Sequence, residues 1–136
     1  MSKVSVKVEF PERNYETVIS QYQEQVKRII VFGINDVANF AKDNIARGVK
    51  TGTERPDGSR RSADGEFPAT DTGFLISNIN AILESNTSGR VESNADYSSS
   101  LEFGTSKMGA RPFLQPSLEQ ARPKIRKKLN DLKART

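Results

Sequence analysis

Apolar and polar residues alternate strictly at the start of the chain. Val4, Val6, Val8 and Phe10 occupy every second position, with polar residues between them. This period of two is typical of a β-strand that buries one face. Pro11 is expected to end the strand because proline cannot donate a backbone hydrogen bond.

The apolar spacing then changes to every third or fourth residue. From Arg13 to Arg47 this pattern predicts one long helix or two helices in line. Residues 29–34, with the sequence IIVFGI, are apolar on nearly every side and are expected to be buried in the domain or between subunits. Gly33 lies in this stretch and marks a kink or a site of close packing.

Shorter elements are expected in the middle of the chain. Asp71 can cap a short helix that contains Phe74 and Leu75. Residues 81–84 and 90–93 flank the tetrapeptide Asn-Thr-Ser-Gly at 86–89, and this arrangement predicts a β-hairpin.

A single helical turn is expected around Leu101. Asp96 would cap it, and Tyr97, Leu101 and Phe103 would be buried together, since Tyr97 and Leu101 are four residues apart on one helix face. Phe113 would join these side chains in setting the angle between the sheet and the last helix.

An amphipathic helix is expected at the end of the chain, with Pro116 in its first turn. Because an interior proline disrupts a helix, the regular part is expected to begin only at Pro123. The apolar stripe comprises Leu118, Ala121, Ile125, Leu129 and Leu132. The other face carries the basic residues Arg122, Lys124, Arg126, Lys127, Lys128 and Lys133.

Gly48 to Thr70 is rich in Gly, Pro, Asp, Ser and Arg and is expected to be a long exposed loop or arm that orders against a neighbour. Together these patterns predict a single domain of residues 1–136 with an α+β fold. A small antiparallel sheet would be packed by one long N-terminal helix and one C-terminal amphipathic helix.

Composition removes most enzymatic chemistry. The 136 residues include no cysteine and no histidine, which removes the usual zinc ligands, the Ser-His and Cys-His nucleophile pairs, and the commonest general base near neutral pH. The carboxylate pairs, such as Asp64 with Glu66, lie in no context that implies a shifted pKa. We therefore expect no enzyme, no catalytic residue, no metal and no cofactor. No apolar stretch is long enough to span a membrane.

The charge is unevenly distributed. The formal net charge is +4, but residues 107–136 contain nine basic and two acidic residues, a net +7, so the preceding part has a net charge of −3. Such asymmetry indicates a contact with nucleic acid or a complementary protein surface, and a solvated helix face is the plain alternative.

Two blocks of the chain contain constrained residue types in a fixed order. The first block, residues 62–79, contains Gly65, Pro68, Asp71, Thr72, Gly73 and Leu75. The second block, residues 97–120, contains Tyr97, Leu101, Glu102, Phe103, Gly104, Thr105, Ala110, Arg111, Pro112, Phe113, Leu114 and Pro116. In this order they resemble the paired signature of the HK97 gp10-like family of tailed-bacteriophage tail components.

The resemblance implies a structural protein of the virion, located at the head-to-tail junction or the upper tail end of a siphovirus-type phage. Such a tail completion or neck protein would join the tail to the head. It would form a homo-oligomeric ring, with six copies as the first expectation, and contact other neck, connector and tail-tube proteins after assembly in the host cytoplasm. The alternatives are a tail terminator that caps the tail tube, and a module whose basic C-terminal helix contacts packaged DNA non-specifically.

Overall fold

The protein has an α+β fold, as predicted. The computed structural model describes residues 3–10, 12–69 and 73–136, with residues 12–14 described by their backbone alone. The elements in chain order are β1 (Val4–Glu9), α1 (Glu12–Gln21), α2 (Gln23–Arg47), α3 (Phe74–Ser77), β2 (Ile79–Leu83), β3 (Ser88–Ser93), α4 (Ser98–Phe103) and α5 (Leu114–Lys133). Pro11 lies outside the described residues. None of the described helices is long and apolar enough to cross a membrane.

The three strands form one antiparallel sheet in the order β1-β3-β2. The predicted hairpin is the β2–β3 pair, and the register places Val6, Val91 and Ala81 side by side. The helices cover one face of this sheet: a Cβ atom added to Gly89 of β3 would lie 2.7 Å from Cγ2 of Ile34 in α2. The opposite face is mainly polar, as is common in antiparallel sheets, with Ile82 as an apolar member beside Arg90.

The predicted long helical region consists of two helices that are separated at Tyr22. In the second of these, Gly33 marks close packing, and α2 continues through it. A Cβ atom at this position would lie 2.9 Å from Cδ1 of Ile125 in α5 and 3.1 Å from Cγ1 of Val8 in β1. The absent side chain therefore lets α2 fit between the last helix and the first strand.

Helix α5 begins earlier than predicted. It starts at Leu114 and contains Pro123 in its interior, so the expectation that the regular part begins only at Pro123 is wrong. The ring of Pro123 is exposed, and Glu119, whose carbonyl loses its helical partner, is exposed as well. Water can donate to that carbonyl, which lowers the cost of the proline.

Residues 48–69, which follow α2, are mostly exposed, as predicted, but they also have structure of their own. The N–H of Gly52 donates to the carbonyl of Arg61 at 2.7 Å, and the N–H of Arg61 donates to that of Thr53 at 3.0 Å. A turn closes the tip, where the N–H of Arg55 donates to Ser59 at 2.7 Å. Residues 52–61 thus form a small hairpin-like turn within the predicted arm.

Candidate assembly surface

The buried carboxylate of Glu102 closes the start of α5. Its Oε1 accepts hydrogen bonds from the backbone N–H groups of Phe113 and Leu114, both at 3.0 Å, and its Oε2 accepts one from Gln115 at 3.1 Å. A helix leaves its first four N–H groups without an intrahelical acceptor. Three of them here bind Glu102, and the fourth position is Pro116, which has no N–H. Every donor that the helix start would leave unpaired is therefore accounted for.

A tight turn after α4 reverses the chain, so that Glu102 of α4 meets the start of α5. Gly104 ends α4 with a φ of 78°, and a Cβ atom there would lie 2.9 Å from the backbone N of Ala110. The N–H of Thr105 donates to the carbonyl of Met108 at 2.8 Å, and its Oγ1 accepts from the N–H of Lys107 at 3.2 Å. Glycine and threonine at these two motif positions therefore shape the turn that returns the chain to Glu102.

Arg111 joins the two motif blocks. Its Nε and Nη2 donate to the carbonyl of Ser62 at 3.2 and 3.1 Å, and Nη2 lies 3.4 Å from Oδ1 of Asp64. The backbone N–H of Gly65 donates to the carbonyl of Ala110 at 2.8 Å. The end of the long loop is thus fastened to the segment that precedes α5.

The aromatic side chains of the second block do not form the predicted buried cluster. Tyr97 is 43% exposed and Phe103 is 72% exposed, while Leu101 is half-buried. Phe103 is two residues from Leu101, about 200° around the helix, and the intervening Glu102 takes the buried face. Of the aromatic residues expected to pack there, Phe113 is fully buried. The expectation for Tyr97 and Phe103 is therefore wrong.

An exposed aromatic pair joins the two blocks on the outside. The ring of Tyr97 contacts that of Phe74, with centroids 6.3 Å apart, and Phe74 is 49% exposed. The cap predicted for Asp96 is also wrong, because Tyr97 occupies the N-cap of α4 and makes no side-chain cap bond.

The remaining residues of the first block are structural. Pro68 is fully buried, and Leu75 in α3 is 2% exposed. Gly73 precedes α3 with a φ of 77°, a left-handed conformation that favours glycine. Asp71 and Thr72 lie outside the described residues, and so does the cap predicted for Asp71.

Two polar contacts were not found from the sequence. The carboxylate of Glu66 accepts from the N–H groups of Ala63 and Thr51, at 2.7 and 2.9 Å, and from the Thr51 hydroxyl at 2.7 Å. The bond from Ala63 first, and then those from Thr51, lower the pKa of Glu66. The hydroxyls of Ser93 and Ser98 meet at 2.6 Å in a buried site between β3 and α4. Single Glu and Ser residues in polar segments are common, so no spacing singled them out.

The basic residues of α5 lie mainly beside its buried stripe. The ammonium groups of three lysines lie over aromatic rings of α1 and α2, at 4.5–5.4 Å from the ring centroids: Lys124 over Phe40, Lys128 over Phe32, and Lys133 over Tyr15. Arg122 pairs with Glu119, and Lys127 pairs with Asp131, at 2.7 and 3.2 Å. Five of the six predicted basic residues therefore take part in cation–π contacts or local ion pairs.

The charged side chains of this arrangement hold backbone segments in place. Across the described part of the chain, no three acidic side chains gather where they could hold a metal ion. Comparison of the chain with protein-family models, curated proteins and solved structures finds no match.

Proposed function

We propose that this protein is a structural component of a tailed-phage virion, at the head-to-tail junction or the upper end of the tail. The proposal rests on the resemblance of the two motif blocks to the tail-component family. One observation carries it further: the two blocks, distant in sequence, form one hydrogen-bonded unit through Arg111, Gly65 and Ala110.

The unit is suited to assembly and not to catalysis. Glu102 and Arg111 bind backbone atoms of the same chain, and Arg111 also pairs with Asp64, whereas the side chains of Phe74, Tyr97 and Phe103 are exposed. A rigid frame that presents aromatic side chains is what an interface between subunits needs. The protein would act as a tail completion protein in a ring of like copies.

The test is deletion of the gene from the phage that encodes this chain, followed by electron microscopy of the lysate. We expect filled heads and full-length tails that remain separate. Complementation with the wild-type gene should restore joined particles. Normal infectious virions from the deletion strain would overturn the proposal, and tails of uncontrolled length would favour a tail terminator instead.

A further inference from the structure

Among the described residues, no further strand pairs with either edge of the sheet, and the register shows which backbone groups of each edge strand point outward. The N–H of Phe10 donates to the carbonyl of Thr87 at 3.2 Å, and the pairing continues through Val8 and Gly89. Bonds to the neighbouring strand alternate along an antiparallel pair. The N–H and C=O groups of Ser5, Lys7 and Glu9 in β1 therefore point away from β3.

The same reasoning applies to the other edge. The N–H of Glu84 donates to the carbonyl of Ser88, and that of Asn94 donates to Asn78, both at 3.0 Å. The backbone groups of residues 79, 81 and 83 in β2 consequently point outward. No other strand of the described residues pairs with either edge.

The two edges differ in character. A groove of about 280 Å³ follows the β1 edge, between residues 7–10 and helix α5. Its apolar lining includes Leu118, Ile125 and Leu129, and its charged lining residues are Lys7, Glu9, Arg122 and Arg126. At the other edge, β2 has the sequence INAIL, with neither charge nor proline, and Leu83 is 38% exposed. Edge strands usually carry charged residues or proline, which protect them against pairing with another chain, and β2 has neither.

We propose that the β2 edge of one copy adds to the β1 edge of a second copy and lies along this groove. Leu83 of the added strand, which faces the helix side of the sheet and is 38% exposed, would pack against the apolar lining of the groove. The Glu84 side chain, which pairs with Arg90 at 2.9 Å on the opposite face of the sheet, would approach Lys7 on that face. Within one copy, β1 and β2 are both antiparallel to β3 and therefore run parallel to each other. In a ring of such copies, β2 of one copy would pair in parallel with β1 of the next.

Pairing of β1 with another β1 is less favourable. An antiparallel pair centred on Lys7 would place two lysines directly opposite each other, and like charges in that position are destabilising. A contact between two different edges is heterologous, and it closes into a ring if the rotation permits. The inference deepens the proposed function, because it supplies the contact from which a neck ring would be built.

The absence of native cysteine allows a direct test by disulfide formation. Lys7 and Ile82 are both in register with Arg90, so within one chain their Cα atoms are two strand spacings apart, roughly 9–10 Å. That separation exceeds the reach of a disulfide, about 7 Å. Oxidation of the purified K7C/I82C or K7C/N80C protein at high concentration should therefore give covalent multimers larger than dimers on non-reducing gels.

Matched variants make the result decisive. K7C/N35C, with its second thiol on the exposed side of α2, should give no such multimers, and the single variants should stop at dimers. Absence of multimers from both edge pairs, or equal multimers from the control, would overturn the edge contact. Multimers from a protein whose gene deletion leaves normal virions would refute only the proposed function. If the joining of heads and tails depends on the gene but neither edge pair forms disulfide-linked multimers, only the edge contact is refuted.

Discussion

Removal of the Glu102 carboxylate should be among the most damaging single changes to this fold. In Glu102→Ala, the N–H groups of Phe113, Leu114 and Gln115 lose their acceptor. Phe113 and Leu114 are fully buried, so water has little access to two of these donors.

The expected magnitude follows from those two donors. Leaving a buried donor unsatisfied costs about 1–3 kcal/mol, so two cost about 2–6 kcal/mol, and entry of a water into the vacated space would lower this sum. We expect a loss of about 3 kcal/mol in the free energy of unfolding, a large fraction of the 5–15 kcal/mol typical of a domain. The midpoint of thermal unfolding should fall by about 10 °C in a protein of this size.

Urea unfolding monitored by circular dichroism, with calorimetry as a second probe, measures the loss. Glu102→Gln keeps one acceptor and the shape of the side chain, and it should fall between the wild type and Glu102→Ala. Glu119→Ala is the matched control, because its carboxylate is exposed and pairs with Arg122; it should change stability by less than about 1 kcal/mol. If Glu102→Ala were no more destabilising than Glu119→Ala, the capping argument would be refuted.

Three further changes test the loop and the turn. Gly104→Ala should cost about 1–3 kcal/mol in urea unfolding, since its φ of 78° and the close backbone of Ala110 oppose a side chain; a neutral result would contradict this account. Arg111→Lys removes the two-pronged contact with the Ser62 carbonyl and should speed proteolysis of residues 52–69 while global stability changes by about 1 kcal/mol or less; unchanged cleavage would exclude the fastening role. The lowered pKa of Glu66 means that its contribution to stability is complete above the ordinary value of 4.5 and disappears as the pH falls through the lower, folded value. Amide NMR shifts of Thr51 and Ala63 should report this transition, and Glu66→Gln should abolish it; the same transition in that variant would assign it to another group.

The long, strongly periodic elements were predictable. Strand β1 and helices α2 and α5 carry apolar residues at one repeated spacing, and burial against a single core enforces that spacing. The start of α5 was predicted wrongly because the destabilisation by an interior proline depends on its exposure, which is known only from the fold. Pro123 is exposed, and hydration of the carbonyl that it leaves unpaired reduces its destabilising effect.

The role of Glu102 could not be found from spacing. The bonds that bury its carboxylate come from residues 113–115, so they exist only after the intervening turn has formed. In a helix as short as α4, a rotation by one residue decides which side chain faces the core. Apolar character alone favoured Phe103 as the buried residue, but Glu102 takes that position. Glu102 could therefore be singled out in the sequence as part of the second block, whereas its role as the acceptor at the start of α5 required the fold.

The bond between Glu102 and α5 also has a consequence for the order of folding. The first turn of α5 cannot complete its hydrogen bonds until the chain from 103 to 112 has closed into a loop, and closing such a loop carries an entropic cost. The middle of α5, which packs through Ile125 against Gly33 of α2, is free of that requirement. We therefore expect the last helix to nucleate near its centre and to be extended back towards Leu114 as a late step.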